Sequence, residues 1–239
     1  MNASDVSQRD KVVGILGGMG PEATVDLMAR VIAATPAQDD IDHIRMLVDN
    51  NPKVPSRIKA LIEGMGEDPA PTLIAMAQGL AQQGADFLAM PCNTAHYYYA
   101  DIANAVNIPF LNIVELTLAH IKTQQPDIKR IGLLASSALQ KINLYEPYAA
   151  QYDLAVLYPE ADYQAALMDL IKQVKAKSYT AESLQALQQA AQNLQEQQAD
   201  VLVIACTELS ALNNGIQFAL PVYDASDVLA YAVVKHALA

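Results

Sequence analysis

Two cysteines, Cys92 and Cys206, are the only thiols in this chain of 239 residues, and each closes a run of the same character. Ala85-Asp86-Phe87-Leu88-Ala89-Met90-Pro91-Cys92 returns 114 positions later as Ala199-Asp200-Val201-Leu202-Val203-Ile204-Ala205-Cys206, with Ala, Asp, Leu and Cys coinciding. A hydroxyl follows each thiol closely, Thr94 in the first copy and Thr207 in the second. A free thiol titrates near ~8.5, and a following helix start would lower it to about 7 or below. One cysteine on each side of a carbon could take a proton from one face and return one to the other. That inverts configuration by general acid–base catalysis, without metal or cofactor. The competing readings are two buried thiols that only pack and a single disulfide. The repeat and the polar threonines favour the acid–base pair. Two cysteines are too few for the usual four-ligand structural zinc site, and no cluster has metal-ligand spacing, so no metal is expected.

The elements that must position the thiols alternate regularly. Val12 to Leu16 reads as a buried strand, followed by a Gly-rich turn and a helix from about Glu22 to Ile32. A second strand spans His43 to Val48, and Asn50-Asn51-Pro52 breaks it. Thr72 caps a helix carrying Leu73, Met76, Ala77 and Leu80 at helical spacing, which Gly84 ends before the strand Phe87 to Met90. The pattern resumes with strands at Arg130 to Ala135, near Leu154 to Tyr158 and at Val201 to Ala205. Such alternation predicts parallel sheets covered by helices. The repeat reaches beyond the cysteines: Leu80/Leu194 and Gln83/Gln197 match at the same offset. Gly14-Ile15-Leu16 resembles Gly132-Leu133-Leu134, and Ile108-Pro109 with Asn112 resembles Leu220-Pro221 with Asp224. The expected fold is two similar Rossmann-like or flavodoxin-like α/β domains related by a pseudo-twofold axis. Ligands of parallel α/β sheets bind outside the carboxyl ends of the strands, so both thiols are expected to face one cleft between the domains.

Composition removes other classes. The net charge of −11 argues against a nucleic-acid partner and against anionic lipid surfaces. No run of 18 apolar residues could span a membrane. The start, MNASDVSQRDK, lacks the apolar core of a secretory signal. A cytoplasmic location with reduced thiols is expected.

With these residues in view, the chain resembles the aspartate/glutamate racemase family, and more narrowly its cofactor-independent aspartate racemase branch. The likeness rests on Gly17-Gly18-Met19-Gly20-Pro21-Glu22-Ala23-Thr24, Asp49-Asn50-Asn51-Pro52, Pro91-Cys92-Asn93-Thr94-Ala95-His96 and Cys206-Thr207-Glu208-Leu209-Ser210. Glu208 stands where the glutamate branch usually carries His, and favours the aspartate branch. The resemblance implies racemisation of an acidic amino acid, aspartate or glutamate, through two catalytic cysteines. It assigns Cys92 to the D-enantiomer and Cys206 to the L-enantiomer. It also implies a homodimer, and a C-terminal segment that folds back on the first half, giving domains of residues 1–114 with 211–239, and 115–210. Met19 and Asn51 lie in matching motifs and are implied to meet the substrate. Asn93 with Thr94, and Thr207, would hold its α-carboxylate and amino group.

An amino diacid entering so acidic a protein needs local cations. Of the five arginines, Arg9 lies in the polar tail, Arg30 inside the first helix, and Arg45 and Arg130 near strand starts, the wrong edge of the sheet. Arg57, past the carboxyl end of the second strand, remains as the grip on a side-chain carboxylate. The pattern does not separate Lys172, Lys175 and Lys177. The family context Val-Lys-Ala selects Lys175.

Family members commonly read Ala-Thr-x-Gly-Thr where this chain has Ala135-Ser136-Ser137-Ala138-Leu139, so Ser136 or Ser137 must substitute, or the substrate differs. His96 either covers the core with Tyr97-Tyr98-Tyr99 or orients Cys92. Asp86 and Asp200 read as structural. Gly18-Met19-Gly20-Pro21-Glu22-Ala23 fits a dinucleotide turn without the acidic residue that would confirm it. Two other readings stand beside the racemase: a maleate isomerase or arylmalonate decarboxylase-like enzyme, and a catalytically weak amino-acid-binding protein.

Overall fold

The structure is a computed structural model that describes residues 10–212 and 216–239; Arg9 and the polar start lie outside them. In chain order its elements are β1 (Val13–Gly17), α1 (Pro21–Ala34), β2 (Met46–Asn50), α2 (Arg57–Leu61), α3 (Ala70–Gln82), β3 (Phe87–Ala89), α4 (Tyr99–Asn104) and α5 (Ile113–Gln124). These are followed by β4 (Arg130–Leu134), α6 (Ser137–Lys141), α7 (Glu146–Ala149), β5 (Ala155–Leu157), α8 (Ala161–Lys175) and α9 (Gln185–Glu196). The chain ends with β6 (Val201–Ile204), α10 (Thr207–Ser210), β7 (Val222–Asp224) and α11 (Ala225–Ala237).

Two parallel sheets form, in the orders β2-β1-β3 and β5-β4-β6-β7. An isolated parallel bridge from Leu88 to Phe110 extends the first sheet where β7 extends the second. The repeat is thus a repeat of topology. Packing shows why Gly14 and Gly132 coincide. A Cβ on Gly14 would stand 2.8 Å from the Leu88 side chain and 3.1 Å from Leu80 Cβ. On Gly132 it would stand 3.1 Å from Leu202 and Leu194, the residues 114 positions on. In both halves the first strand's glycine lets one helix lie close on the sheet. Asp86 and Asp200 are matched too. Asp86 accepts from Val12 N–H (2.7 Å), and Asp200 from the N–H groups of Lys129 (2.8 Å) and Arg130 (2.7 Å), pinning strand starts as a structural role requires.

The helices following the fourth strand positions cross over. α11 packs on α1 of the first half, whereas α5 packs on α11 and reaches α7 and β7 of the second. The segment 211–239 therefore divides. Its helix packs on α1 of the first half, whereas its strand β7 belongs to the second sheet through pairing with β6.

Some boundaries shift for local reasons. α3 begins at Ala70, where Asp68 accepts the Ala70 N–H (3.0 Å), so Thr72 sits inside the first turn instead of capping it. Pro71 is tolerated there because first-turn N–H groups have no intrahelical partner. β2 starts at Met46, later than expected. Asp42 accepts the N–H groups of Gln38 and Asp39 and winds the preceding residues into a 3-10 turn.

Candidate active site

Cys92 follows β3 after the short Met90-Pro91 step, and Cys206 follows β6 after Ala205. Both leave the carboxyl edge of their sheets, and both are free, buried thiols, only 8% and 9% exposed. They line one cavity of about 80 Å³. Arg57, Asn93, Thr94, Lys175, Thr207 and Met19 line it with them, so six residues from well-separated segments of the chain converge with the thiols. A second cavity of about 540 Å³ shares Met19, Arg57, Lys175 and Thr207 with the first and leads outward past Pro21, Pro52 and Val174. The small chamber suits the reacting carbon; the large one receives whatever extends from it.

The two thiols sit in different electrostatic settings. Cys206 Sγ–H donates to Glu208 Oε2 at 3.1 Å. Burial, then the Glu208 charge, push this thiol well above its ordinary value, against the opposing pull of Lys175. This corrects the expectation of a thiol lowered by a helix start. The helix after Cys206 is a single turn, α10, and its first-turn acid outweighs whatever dipole it has. Glu208 in turn pairs with Lys175 Nζ at 3.4 Å. The sequence used Glu208 only as a mark of lineage. Its place two residues after a thiol, in the first turn of a helix, was the available sign of a chemical role.

Asn93 is buried, and its Oδ1 accepts from Tyr145 OH at 2.6 Å, which fixes the amide so that Nδ2 is left without a partner. A buried donor without a partner costs about 1–3 kcal/mol, which an incoming carboxylate would relieve. Arg57 is held by its own loop: Nη1 donates to the carbonyls of Pro55 (2.8 Å) and Val54 (3.3 Å), and its buried Nε has no partner. Met19 is brought to the cavity by the turn after β1. There Gly18 has φ +92 and a Cβ on it would overlap the Asn51 backbone, so only glycine fits. That contact also shows what Asn51 does. Its side chain accepts from Lys53 N–H (3.0 Å), and it is not among the residues that line either cavity.

Leu139 and Ala138 turn into the core, while Ser136 lines the small cavity and supplies a hydroxyl. Ser137 is drawn aside, its N–H on Met168 Sδ. Lys177 and Lys172 bind elsewhere, on Glu22 and Asp169, which singles out Lys175. Arg30 joins Asp26, Asp224 and Asp227 between α1 and α11. His96 touches the Cys92 backbone and not its sulfur.

Residues 16–233 match the model of the Asp/Glu/hydantoin racemase family, and the chain belongs to that family of amino-acid racemases. It is 32% identical over 232 residues to a broad specificity amino-acid racemase of Bacillus subtilis, covering 95% of this chain and 99% of that one. An aspartate racemase from Picrophilus torridus superposes with a TM-score of 0.80 at 30% identity, over 95% of this chain and 94% of the other. A glutamate racemase from Bacillus anthracis shares the fold, at 17% identity and a TM-score of 0.66, over 95% and 80% of the two chains.

Proposed function

We propose that the chain interconverts L- and D-enantiomers of an acidic amino acid, aspartate first and glutamate second, with Cys92 and Cys206 as the two bases and no cofactor. The observation that carries this reading is the convergence of both thiols on one small cavity beside Asn93 and Arg57. The Cys92 thiolate takes the Cα proton of the D-enantiomer. The electron pair left on Cα delocalises into the carboxylate held by Asn93 Nδ2, Thr94 and Thr207. Cys206, kept as a thiol by burial and Glu208, gives its proton to the opposite face. Cys92 ends as thiol and Cys206 as thiolate. In the reverse direction the Cys206 thiolate takes the Cα proton of the L-enantiomer and the Cys92 thiol gives its proton to the opposite face, after which Cys206 again donates to Glu208. Arg57 and Lys175 hold the side-chain carboxylate.

A second reading widens the substrate. Lys175 is already paired with Glu208, and the outer cavity of about 540 Å³ exceeds what a short acidic side chain needs. The name of the Bacillus subtilis relative accords with that width. The same reading includes a homodimer, for which exposed Val25, Ile32 and Tyr231 along α1 and α11 offer apolar contact. It also includes a reducing, cytoplasmic setting that keeps the thiols free. Among the described residues no helix is long and apolar enough to cross a membrane. Incubation with single L- and D-amino acids in deuterated water tests the proposal. Deuterium is expected at Cα of aspartate or glutamate; exchange only with other amino acids would select the wider reading, and none at all would overturn both.

A further inference from the structure

The residue four places after each cysteine is the start of a bracket that reaches the opposite half of the molecule. In the first half, Cys92 O accepts from His96 Nδ1–H at 2.9 Å. His96 Nε2 accepts the N–H of Ile113, the first residue of α5, at 3.2 Å. Because Nε2 accepts, the ring proton is on Nδ1. The residue capping α5, Asn112, takes the N–H groups of Val114 and Glu115 on Oδ1, and its Nδ2 donates to Tyr148 OH on α7 at 3.0 Å.

The second half repeats this with different chemistry. Cys206 O accepts the N–H of Ser210 at 3.0 Å. Ser210 Oγ–H donates to Asp224 Oδ1 at 2.7 Å, and Asp224 caps α11 by accepting the Ser226 N–H. Asp224 Oδ2 then meets Arg30 of α1 at 3.2 Å. Each bracket runs from a cysteine, through the start of a crossover helix, to a helix on the other half. His96, Ser210 and Asp224 are buried, so these bonds are shielded from water.

We infer that His96 and Ser210 are matched positioning residues, each registering one thiol against the opposite half of the cleft. The inference deepens the two-cysteine reading and rests on it for its catalytic consequence. Racemisation by two opposed groups needs both sulfurs aligned on one carbon, and a displacement of 1 Å can cost about 100-fold in rate. Neither side chain reaches a sulfur or lines the cavity, so neither touches the reacting atoms.

The test follows each cysteine separately. In the full chain, iodoacetamide alkylation is timed at Cys92 and Cys206 by peptide mass spectrometry, well below the melting temperature. His96→Phe keeps the ring against Tyr99 and Phe110 but removes both hydrogen bonds; Ser210→Ala removes the hydroxyl with little change of shape. The expected result is a change of fivefold or more, on the order of 1 kcal/mol, at Cys92 alone in the first variant and at Cys206 alone in the second. On a substrate that the wild type racemises, kcat falls roughly 10- to 100-fold with KM nearly constant, as misalignment requires. His96→Gln, with a donor and an acceptor, and Ser210→Thr should restore both readouts. Unchanged alkylation, or equal change at both cysteines, overturns the inference. If the wild type racemises nothing, the alkylation result decides it alone, so its failure is distinct from failure of the proposed function.

Discussion

At the scale of single residues, the proposed chemistry turns on the asymmetry between two thiols that the repeat makes equivalent in place. Cys206 carries a carboxylate on its sulfur, and burial and that charge hold it as the proton-bearing member. Glu208→Gln removes a negative charge beside the sulfur and frees the Lys175 cation, so the thiolate becomes less costly and the Cys206 titration moves to lower pH. Alkylation of Cys206 followed from pH 6 to 10 is expected to move to lower pH, with the alkylation rate of Cys92 unchanged. Racemisation by the same variant falls, since the carboxylate that keeps Cys206 protonated and holds its sulfur in place is gone. A faster thiol in a slower enzyme is the signature; a variant matching the wild type in both would show that Glu208 is only a structural partner. Arg57→Ala belongs to the same scale. Loss of a charge-assisted hydrogen bond is worth about 1.5–3 kcal/mol, so KM for aspartate should rise roughly 10- to 100-fold while alanine, if turned over, is unaffected. Equal losses on both substrates would remove Arg57 from the side-chain carboxylate.

At the scale of elements, the legible and the illegible parts separate by range. The strand–helix alternation is local, and Val13–Gly17, Phe87–Ala89 and Val201–Ile204 fall where their apolar runs place them. The tetrad Ala, Asp, Leu and Cys repeated at one spacing was enough to foresee two like sheets, because Asp86 and Asp200 do the same work at strand starts. What could not be read was decided by contacts between distant residues. The pairing of β7 with β6 takes a strand away from the segment otherwise lying on the first half. Asn51 was singled out by its motif alone, and only the fold shows that its backbone fills the space that Gly18 leaves. His96 offered two readings, and only the start of α5, which it grips, separates them. That grip has a measurable cost. Burial, outweighing the backbone hydrogen bonds, brings His96 down to about 4 from the ordinary 6.5. Between those values the unfolded chain binds a proton that the fold excludes. Stability is therefore fully present above pH 6.5 and declines as pH falls to 4, by roughly 3 kcal/mol from this residue. Chemical denaturation of His96→Phe from pH 4 to 7 should show a correspondingly shallower dependence than the wild type. Parallel curves would mean that His96 is not the neutral, buried clip described.

At the scale of the whole molecule, duplication and crossover account for the site. Each half presents one cysteine at the carboxyl edge of its sheet, and the halves meet so that both line one cavity. α11 on α1, and α5 reaching α7 and β7, tie the halves together and set the distance between residues 114 positions apart. The charge of −11 leaves the cleft dependent on few cations, of which Lys175 is already engaged by Glu208. The central claim is that the two thiols act as one pair on opposite faces of a single carbon. The measurement that reaches it most directly is racemisation in deuterated water by the wild type, Cys92→Ala and Cys206→Ala, following both optical rotation and deuterium at Cα. The wild type is expected to form the opposite enantiomer with deuterium at Cα, and each single variant to lose racemisation entirely. Full racemisation by either variant would contradict the two-base pair.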